Sequence, residues 1–285
     1  VGGITTLEAI KMLSSDRHTK VLLLVSKPPS KTVAEKILIS VRETGKPTVI
    51  CFLGSDLQSE DSDIYFASTL DDASIRAVQF AAKSSKKPKI NSGRNWKKLA
   101  QKSIKSLDSK QRYLRGLYSG GTLCYEAQRV LQPILGNIYS NAPLNKEFKL
   151  KNSNKSEGNS LIDLGEGEFT VGRPHPMIDA NLRSERIMSE AAKANVGVIL
   201  LDVVLGYVAS PDPAGDLLPA IKEAKKLAKR KGRNLVFVSH VCGTDNDPQG
   251  LTEQEEKLRE EGVLVFPTNA IASRVAGMIT ARGDI

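Results

Sequence analysis

The chain has few of the residues that build disulfide, zinc or base-stacking sites. Three cysteines and three histidines occur in 285 residues, and Cys51, Cys124 and Cys242 stand far apart without a CxxC pair. A disulfide framework or a structural zinc site is therefore not expected, and no metal is predicted. Aromatic residues make up 5% of the chain, and no aromatic-interleaved basic motif is recognisable.

Long apolar runs and a signal-peptide pattern are also missing. No stretch approaches the roughly 20 apolar residues that cross a bilayer, so we expect a cytoplasmic protein with no membrane association. The sequence opens at Val1 and enters a glycine turn and a helix directly, with no strand before them. We therefore expect a further N-terminal region in the natural protein.

Positive charge is abundant but concentrated in one segment. The formal net charge is +9, and twelve basic residues against one acid, Asp108, lie between Lys83 and Arg115. That segment carries +11, so the remainder carries −2. The pattern favours a solvated basic linker helix, predicted over residues 91–112. An acidic partner surface is the alternative, and nucleic acid is not expected because no binding motif accompanies the charge.

Apolar strand candidates alternate with helix candidates on both sides of this linker. This pattern is typical of an α/β fold with parallel sheets and helices on both faces. The order of glycine turn, helix, strand, Pro-rich loop, helix and strand occurs from Gly2 to Gly54 and again from Gly172 to Gly243. We predict a duplicated α/β unit, with a first unit at residues 1–90 and a second at residues 113–285.

The clearest candidate for anion binding is the turn Ser119, Gly120, Gly121 and Thr122, directly after a predicted strand. Backbone N–H groups at a helix N-terminus suit phosphate, although the turn lacks the lysine of a P-loop. The alternative is an ordinary glycine turn. Two further phosphate-binding candidates are predicted at glycine turns, namely Gly2 with Gly3, and Gly172.

Arg173 and His175 are the predicted catalytic pair. Arginine offers a bidentate fork for phosphate or carboxylate, and histidine changes protonation near neutral pH. The loop after a later apolar strand adds Gly243 and Thr244 as phosphate-binding candidates. Cys242 and His240 are interpreted as packing residues. The loop acids Asp212, Asp216, Asp245 and Asp247 could hold a magnesium ion through waters, but their pattern is not specific.

Several motifs resemble a known family. The segment GLYSGGTLCYEA resembles a characteristic segment of the NDP-forming acyl-CoA synthetases, the superfamily of the succinyl-CoA synthetase α subunit. The segments VGGITTLEAI, VGRPHPMIDANLRSER, ILLDVVLGY and VCGTDNDPQGL resemble the FdrA family, a two-copy relative within that superfamily. The resemblance implies two flavodoxin-like units of the succinyl-CoA synthetase domain type. It also implies a separate N-terminal domain through which CoA or a nucleotide could bind.

One departure from the superfamily pattern bears on activity. The ligases carry a catalytic phosphohistidine in a loop after a strand, whereas the corresponding loops here read TDNDPQGL and SDLQSED, without histidine. FdrA proteins are associated with oxamate carbamoyltransferase, which handles carbamoyl phosphate in a multi-subunit complex. The resemblance thus implies a subunit that handles an acyl or carbamoyl phosphate as its small anionic substrate, in a homo- or hetero-oligomer. A CoA ligase and a non-catalytic scaffold are the alternatives.

Overall fold

Apolar strands and amphipathic helices alternate along the chain and form two parallel sheets. The computed structural model describes residues 2–55, 57–58, 61–86 and 96–283. These residues divide between two units, Val1–Ile90 (the first unit) and Asn91–Ile285 (the second unit). Each unit has its own sheet, and each is described here by itself.

The first unit holds a three-stranded sheet in the order β1-β2-β3, with every pair parallel. All five residues of β2 are buried, as expected for the central strand of a covered sheet. Thr69 caps the N-terminus of α3, and its hydroxyl accepts the Asp72 N–H. The elements in chain order are α1 (Ile4–Ser15), β1 (Leu22–Ser26), α2 (Lys31–Thr44), β2 (Thr48–Phe52), β3 (Ile64–Phe66) and α3 (Leu70–Ala81).

The second unit holds a six-stranded parallel sheet in the order β5-β6-β4-β7-β8-β9. Its first elements are α4 (Trp96–Ser106), β4 (Tyr113–Tyr118), α5 (Gly121–Leu135), β5 (Ile138–Ser140), β6 (Asn159–Asp163), α6 (Gly167–Thr170) and α7 (Asn181–Ala191). The remainder are β7 (Val196–Val204), α8 (Leu218–Arg230), β8 (Val236–Cys242), α9 (Leu251–Glu260), β9 (Leu264–Phe266) and α10 (Asn269–Ala281), with 3₁₀ turns at Lys146–Phe148 and Gly215–Leu217.

The second sheet is covered on both faces. Strand β7 is buried over eight of its nine residues, so its side chains on both faces lie inside the protein. Helices α5 and α10 pack against each other, and so do α7 and α8. The predicted α/β class with parallel sheets and helices on both faces is confirmed. No helix among the described residues has the length and apolar character needed to cross a membrane.

The predicted repeat is visible in the order of elements. The first unit runs α1-β1-α2-β2-β3-α3, and the second unit contains α7-β7-α8-β8-β9-α10 with parallel strands in the matching order. Helix α9 lies between β8 and β9 of the second unit and has no counterpart among the described residues between β2 and β3. The sequence pattern also predicts a short strand at Thr170 and a helix whose apolar face includes Ile178. Both predictions are wrong, because Thr170 ends the short helix α6 and Ile178 precedes α7.

The basic segment that was predicted as a solvated linker contains α4. This helix packs against α10, with Ala100 buried and Leu107 buried just beyond its end. The Asn234 side-chain amide also donates to the Ser106 carbonyl at 2.9 Å. Helix α4 therefore belongs to the second unit, and its lysines occupy only the outer face. Residues 91–95 of the predicted linker lie outside the described residues.

Candidate active site at the carboxyl edge of the second sheet

Three neighbouring strands bring their carboxyl ends together at one edge of the second sheet. Strand β4 lies between β6 and β7, with Tyr118 in register with Asp163 of β6. The turn Ser119–Gly121 leads from β4 directly into α5. Ligands of open parallel sheets bind at this edge, so we describe the turn and its neighbours as the candidate site.

Asp202 holds the turn after β4 in place. Its Oδ1 accepts the Ser119 N–H at 2.8 Å, and its Oδ2 accepts the Gly120 N–H at 2.8 Å and the Ser119 hydroxyl at 3.1 Å. The sequence predicted these two amides to bind phosphate. The structure corrects that prediction, because both amides already donate to a carboxylate of their own chain.

Arg183 balances the charge of Asp202. Its Nη2 lies 3.0 Å from Asp202 Oδ1, and the same nitrogen donates to the carbonyls of Asp202 and Leu117. The Arg183 side chain is 4% exposed and the Asp202 side chain is 0% exposed. A buried charge is tolerated when it is paired and hydrogen-bonded, and here the pair fixes the ends of β4 and β7 to α7.

A second carboxylate, Asp163 at the end of β6, lies against the start of α5. Its backbone pairs with the Asn141 side chain through two hydrogen bonds of 2.9 Å, and its Oδ1 accepts the Gly165 N–H at 3.0 Å. A Cβ on Gly121 would lie 2.4 Å from Asp163 Oδ2. Glycine at position 121 therefore permits a close approach between this acid and the helix N-terminus.

His175 reaches the same place from the loop between α6 and α7. Its Nδ1 accepts the Met177 N–H at 3.3 Å, so in the neutral ring the proton is on Nε2. A Cβ on Gly165 would lie 2.6 Å from His175 Nε2, 2.8 Å from the Ser119 carbonyl and 3.2 Å from Asp163 Oδ1. The structure thus brings the predicted histidine to the predicted turn.

This crowding makes Gly165 a sensitive position. We expect Gly165→Ala to lower the free energy of unfolding by about 1–3 kcal/mol, because the Ser119 carbonyl cannot move aside and the imidazole must. Gly167→Ala is the matched control, since a Cβ at Gly167 meets nothing within 4 Å. Urea unfolding of both variants measures the difference. Equal midpoints for the two variants would contradict this placement of His175.

Other predicted site residues lie elsewhere or are already engaged. Gly172 follows α6 with φ +75° and starts no helix, which corrects its assignment as a helix-start anion site. Arg173, on the same loop as His175, is exposed. Thr122 is exposed in the first turn of α5. Gly2 and Gly3 belong to the first unit, where Gly3 precedes α1 with φ +75°.

The loop after β8 does not present Gly243 and Thr244 as an anion site. The Thr244 N–H donates to Asp247 Oδ2 at 2.7 Å, and α9 begins only at Leu251. A Cβ on Gly243 would lie 2.7 Å from three side-chain atoms of Leu205, so this glycine serves close packing. The predicted phosphate-binding role of both residues is therefore corrected.

The cysteine and histidine of β8 differ in exposure. Cys242 is exposed at the end of the strand, which corrects its interpretation as a packing residue, and partial desolvation and nearby carboxylates raise the pKa of its thiol, which opposes a reactive thiolate. His240 fits a packing role. Burial lowers the pKa of His240, and its Nδ1 lies 3.3 Å from the Phe266 carbonyl. Within the described part of the chain, no group of three or more His, Cys, Asp or Glu side chains is placed to hold a metal.

Three residues of this site were not singled out from the sequence: Asp163, Asp202 and Arg183. A signal was available for Asp202, since it is the one charged residue in the strand VGVILLDVV, and a lone acid in a buried strand needs a partner. Asp163 similarly ends the strand NSLID. The sequence does not show that both acids converge on Ser119 and Gly121, because that convergence depends on the strand order.

Comparison with known proteins places the second unit in a family. Residues 117–279, more than half of the chain, match the family model described as CoA-ligase. The uncharacterized protein YahF of Escherichia coli (strain K12) is 35% identical over 285 residues, covering 100% of this chain and 55% of that protein. The chain therefore spans about half the length of that relative.

Solved structures with low sequence identity were also found. The dinucleotide-forming acetyl-coenzyme A synthetase 1 of Ca. Korarchaeum cryptofilum (apo form) shares 14% identity with a TM-score of 0.43, covering 97% of this chain and 56% of that one. The same synthetase in complex with phosphate and ADP gives the same identity and TM-score, with 96% and 55% coverage. The family match spans α5, β6, α7, β7, α8 and β8 of the second unit, and it covers more than half of the chain, so the chain belongs to the CoA-ligase family.

Proposed function

We propose that this chain is an enzyme subunit that binds an acyl phosphate as its substrate. More specifically, we propose that the substrate is carbamoyl phosphate and that the chain is an FdrA-like subunit of an oxamate carbamoyltransferase-type complex. The observation that carries the proposal is the approach of His175 Nε2 to the start of α5. His175 Nε2 and the Ser119 carbonyl both lie beside Gly165, so the half-buried histidine is close to the turn that leads into the 15-residue helix α5. An imidazole N–H and a helix N-terminus both favour a negatively charged group.

The anion would approach on the side of Thr122. The N-cap residue of α5 is Gly120, which has no side chain to compete for the first-turn amides, and the Thr122 hydroxyl is exposed. Asp163 and Asp202 occupy the inner side of the turn, so the substrate's phosphate would lie outside them. Arg173, exposed on the loop of His175, is proposed to supply the counter-charge.

The tautomer of His175 favours acyl-phosphate binding over a phosphohistidine relay. A nucleophilic Nε2 needs a free lone pair, but the Met177 N–H donates to Nδ1 and thereby leaves the proton on Nε2. In this form His175 donates a hydrogen bond to the substrate and stabilises charge as the acyl–oxygen bond breaks. The loops after β2 and β8 contain no histidine that could carry phosphate instead.

Isothermal titration with acetyl phosphate and carbamoyl phosphate tests the proposal. We expect His175→Ala to weaken binding about 10- to 100-fold, which corresponds to the roughly 1.5–3 kcal/mol of a hydrogen bond to a charged group. Arg173→Ala should weaken binding as well. His18→Ala, an exposed histidine of the first unit, is the matched control and should leave affinity unchanged. Equal affinity in all three variants would remove the proposed site.

A non-catalytic scaffold is the second candidate, and one observation favours it. The Ser119 and Gly120 amides are already occupied by Asp202, so the turn is stable without a ligand. If the protein bound none of phosphate, carbamoyl phosphate, CoA and ADP, a scaffold role would be the better explanation. Binding of CoA and ADP together with phosphorylation of the protein would instead indicate a ligase.

A further inference from the structure

A second concave surface lies at the opposite edge of the second sheet. It is a cleft of about 580 Å³ beside the amino ends of β8 and β9, between α8 and α4. Ser103 and Ser106 contribute from α4, and Glu261 and Gly262 contribute from the turn before β9. This volume lies within the range of small-molecule sites, about 300–1,000 Å³.

One wall of the cleft consists of lysines. Lys222, Lys225, Lys226 and Lys229 lie at helical spacings of three and four residues, so they share one face of α8. Glu261 is the one carboxylate that lines the cleft, and its Oε2 lies 3.4 Å from Lys222 Nζ. The lining therefore carries four positive charges against one negative charge.

Lys225 is the most enclosed member of this row. Its Nζ donates to the Glu261 backbone carbonyl and lies 5.8 Å from the centre of the Phe237 ring. Among the described residues, no carboxylate comes within 4.0 Å of this ammonium group, and burial lowers the pKa of Lys225 although the charge of Glu261 favours the ammonium form. A partly dehydrated cation that has no carboxylate in direct contact gains stability from an incoming anion.

We propose that this cleft binds a small oligophosphate, with Lys222, Lys225 and Lys229 as its ligands. From Lys222 to Lys229 the helix rises about 10 Å, which suits a chain of two or three phosphates better than a single ion. The exposed Lys102 and Lys105 of α4 strengthen the positive potential at the cleft mouth. This binding is independent of the acyl-phosphate site, which lies at the other edge of the sheet.

Calorimetric titration with inorganic tripolyphosphate at low ionic strength tests the proposal, in a His175→Ala background that weakens the carboxyl-edge site. The double variant Lys225→Gln/Lys229→Gln should bind at least tenfold more weakly. Glu261→Gln should bind more tightly, since it removes the carboxylate that competes with the ligand for Lys222. The pair Lys146→Gln/Lys149→Gln, which loses the same charge from exposed positions, should behave like the parent protein.

Affinity for tripolyphosphate should fall in Lys225→Gln/Lys229→Gln and rise in Glu261→Gln. These opposite changes distinguish a specific site in the cleft from general electrostatic attraction to a basic protein. The same loss of affinity in both lysine pairs would overturn the proposal, and so would unchanged affinity in Glu261→Gln or no binding by the parent protein. If duplex RNA bound more tightly than tripolyphosphate and was equally sensitive to Lys225 and Lys229, the ligand would be a nucleic acid and the proposal would be wrong. Circular dichroism confirms that each variant is folded.

Discussion

Glu190→Gln is expected to lower the free energy of unfolding by about 3–5 kcal/mol, because it leaves buried cations without their anion. The Glu190 carboxylate is fully buried and lies 2.8 Å from Arg115 Nε, 3.0 Å from Arg186 Nε and 2.9 Å from Lys193 Nζ. The Ser156 hydroxyl donates to it at 2.5 Å. Chemical unfolding measures the loss, and the exposed Glu185→Gln on the same helix should change stability by less than about 0.5 kcal/mol.

The same residue predicts a pH dependence. Burial alone would raise the pKa of Glu190, but the hydrogen bonds of Ser156 and Lys193 and the charges of Arg115 and Arg186 lower it from 4.5 to about 2. Its stabilising effect is therefore complete above pH 4.5 and is lost as the pH falls towards 2, a loss on the order of 3 kcal/mol. The stability gap between wild type and Glu190→Gln should narrow over this range. A constant gap would contradict the assignment.

Asp202→Asn should be about as destabilising, roughly 3 kcal/mol or more. The change removes the charge that balances the buried Arg183, and an amide nitrogen must then face one of the N–H groups of Ser119 and Gly120. Thermal or urea unfolding measures the loss. Because the turn before α5 would also lose its anchor, binding of acetyl phosphate should weaken in the same variant.

A double-variant cycle controls this prediction. Arg183→Gln alone should cost a similar amount, since it leaves Asp202 buried without its cation. Combined with Asp202→Asn, it removes both charges, so the double variant should cost less than the sum of the single variants by about 1 kcal/mol or more. Strict additivity would show that the two side chains do not act as a pair.

The sequence predicted those strands and turns whose formation depends on residues close together along the chain. The apolar run of β7 and the turn after β4 were found because their patterns lie within a few residues. Strand β6 was not predicted, because the segment 141–160 is rich in Asn, Lys and Ser, which is typical of a surface loop, and β6 begins within it at Asn159. That segment is tied to α7 through Arg186, which donates to the Ser153 carbonyl and the Ser156 hydroxyl, and such contacts join residues about thirty positions apart.

The candidate site was predicted in part for the same reason. The sequence identified Ser119–Thr122 and His175, and the structure brings them together because β4 and β6 are neighbours in the sheet. The sequence wrongly predicted that the Ser119 and Gly120 amides bind phosphate. The Asp202 carboxylate that accepts their hydrogen bonds lies 83 and 82 residues away along the chain, so local sequence patterns do not reveal it. Helix-start amides are visible in a sequence, whereas the groups that fill them depend on the tertiary fold.

The most direct test of the acyl-phosphate assignment is a crystal structure of the protein with carbamoyl phosphate or acetyl phosphate. We expect a phosphate oxygen within about 2.7–3.2 Å of His175 Nε2, on the Thr122 side of the start of α5. An anion bound away from this helix start, with the His175 ring unchanged, would contradict it.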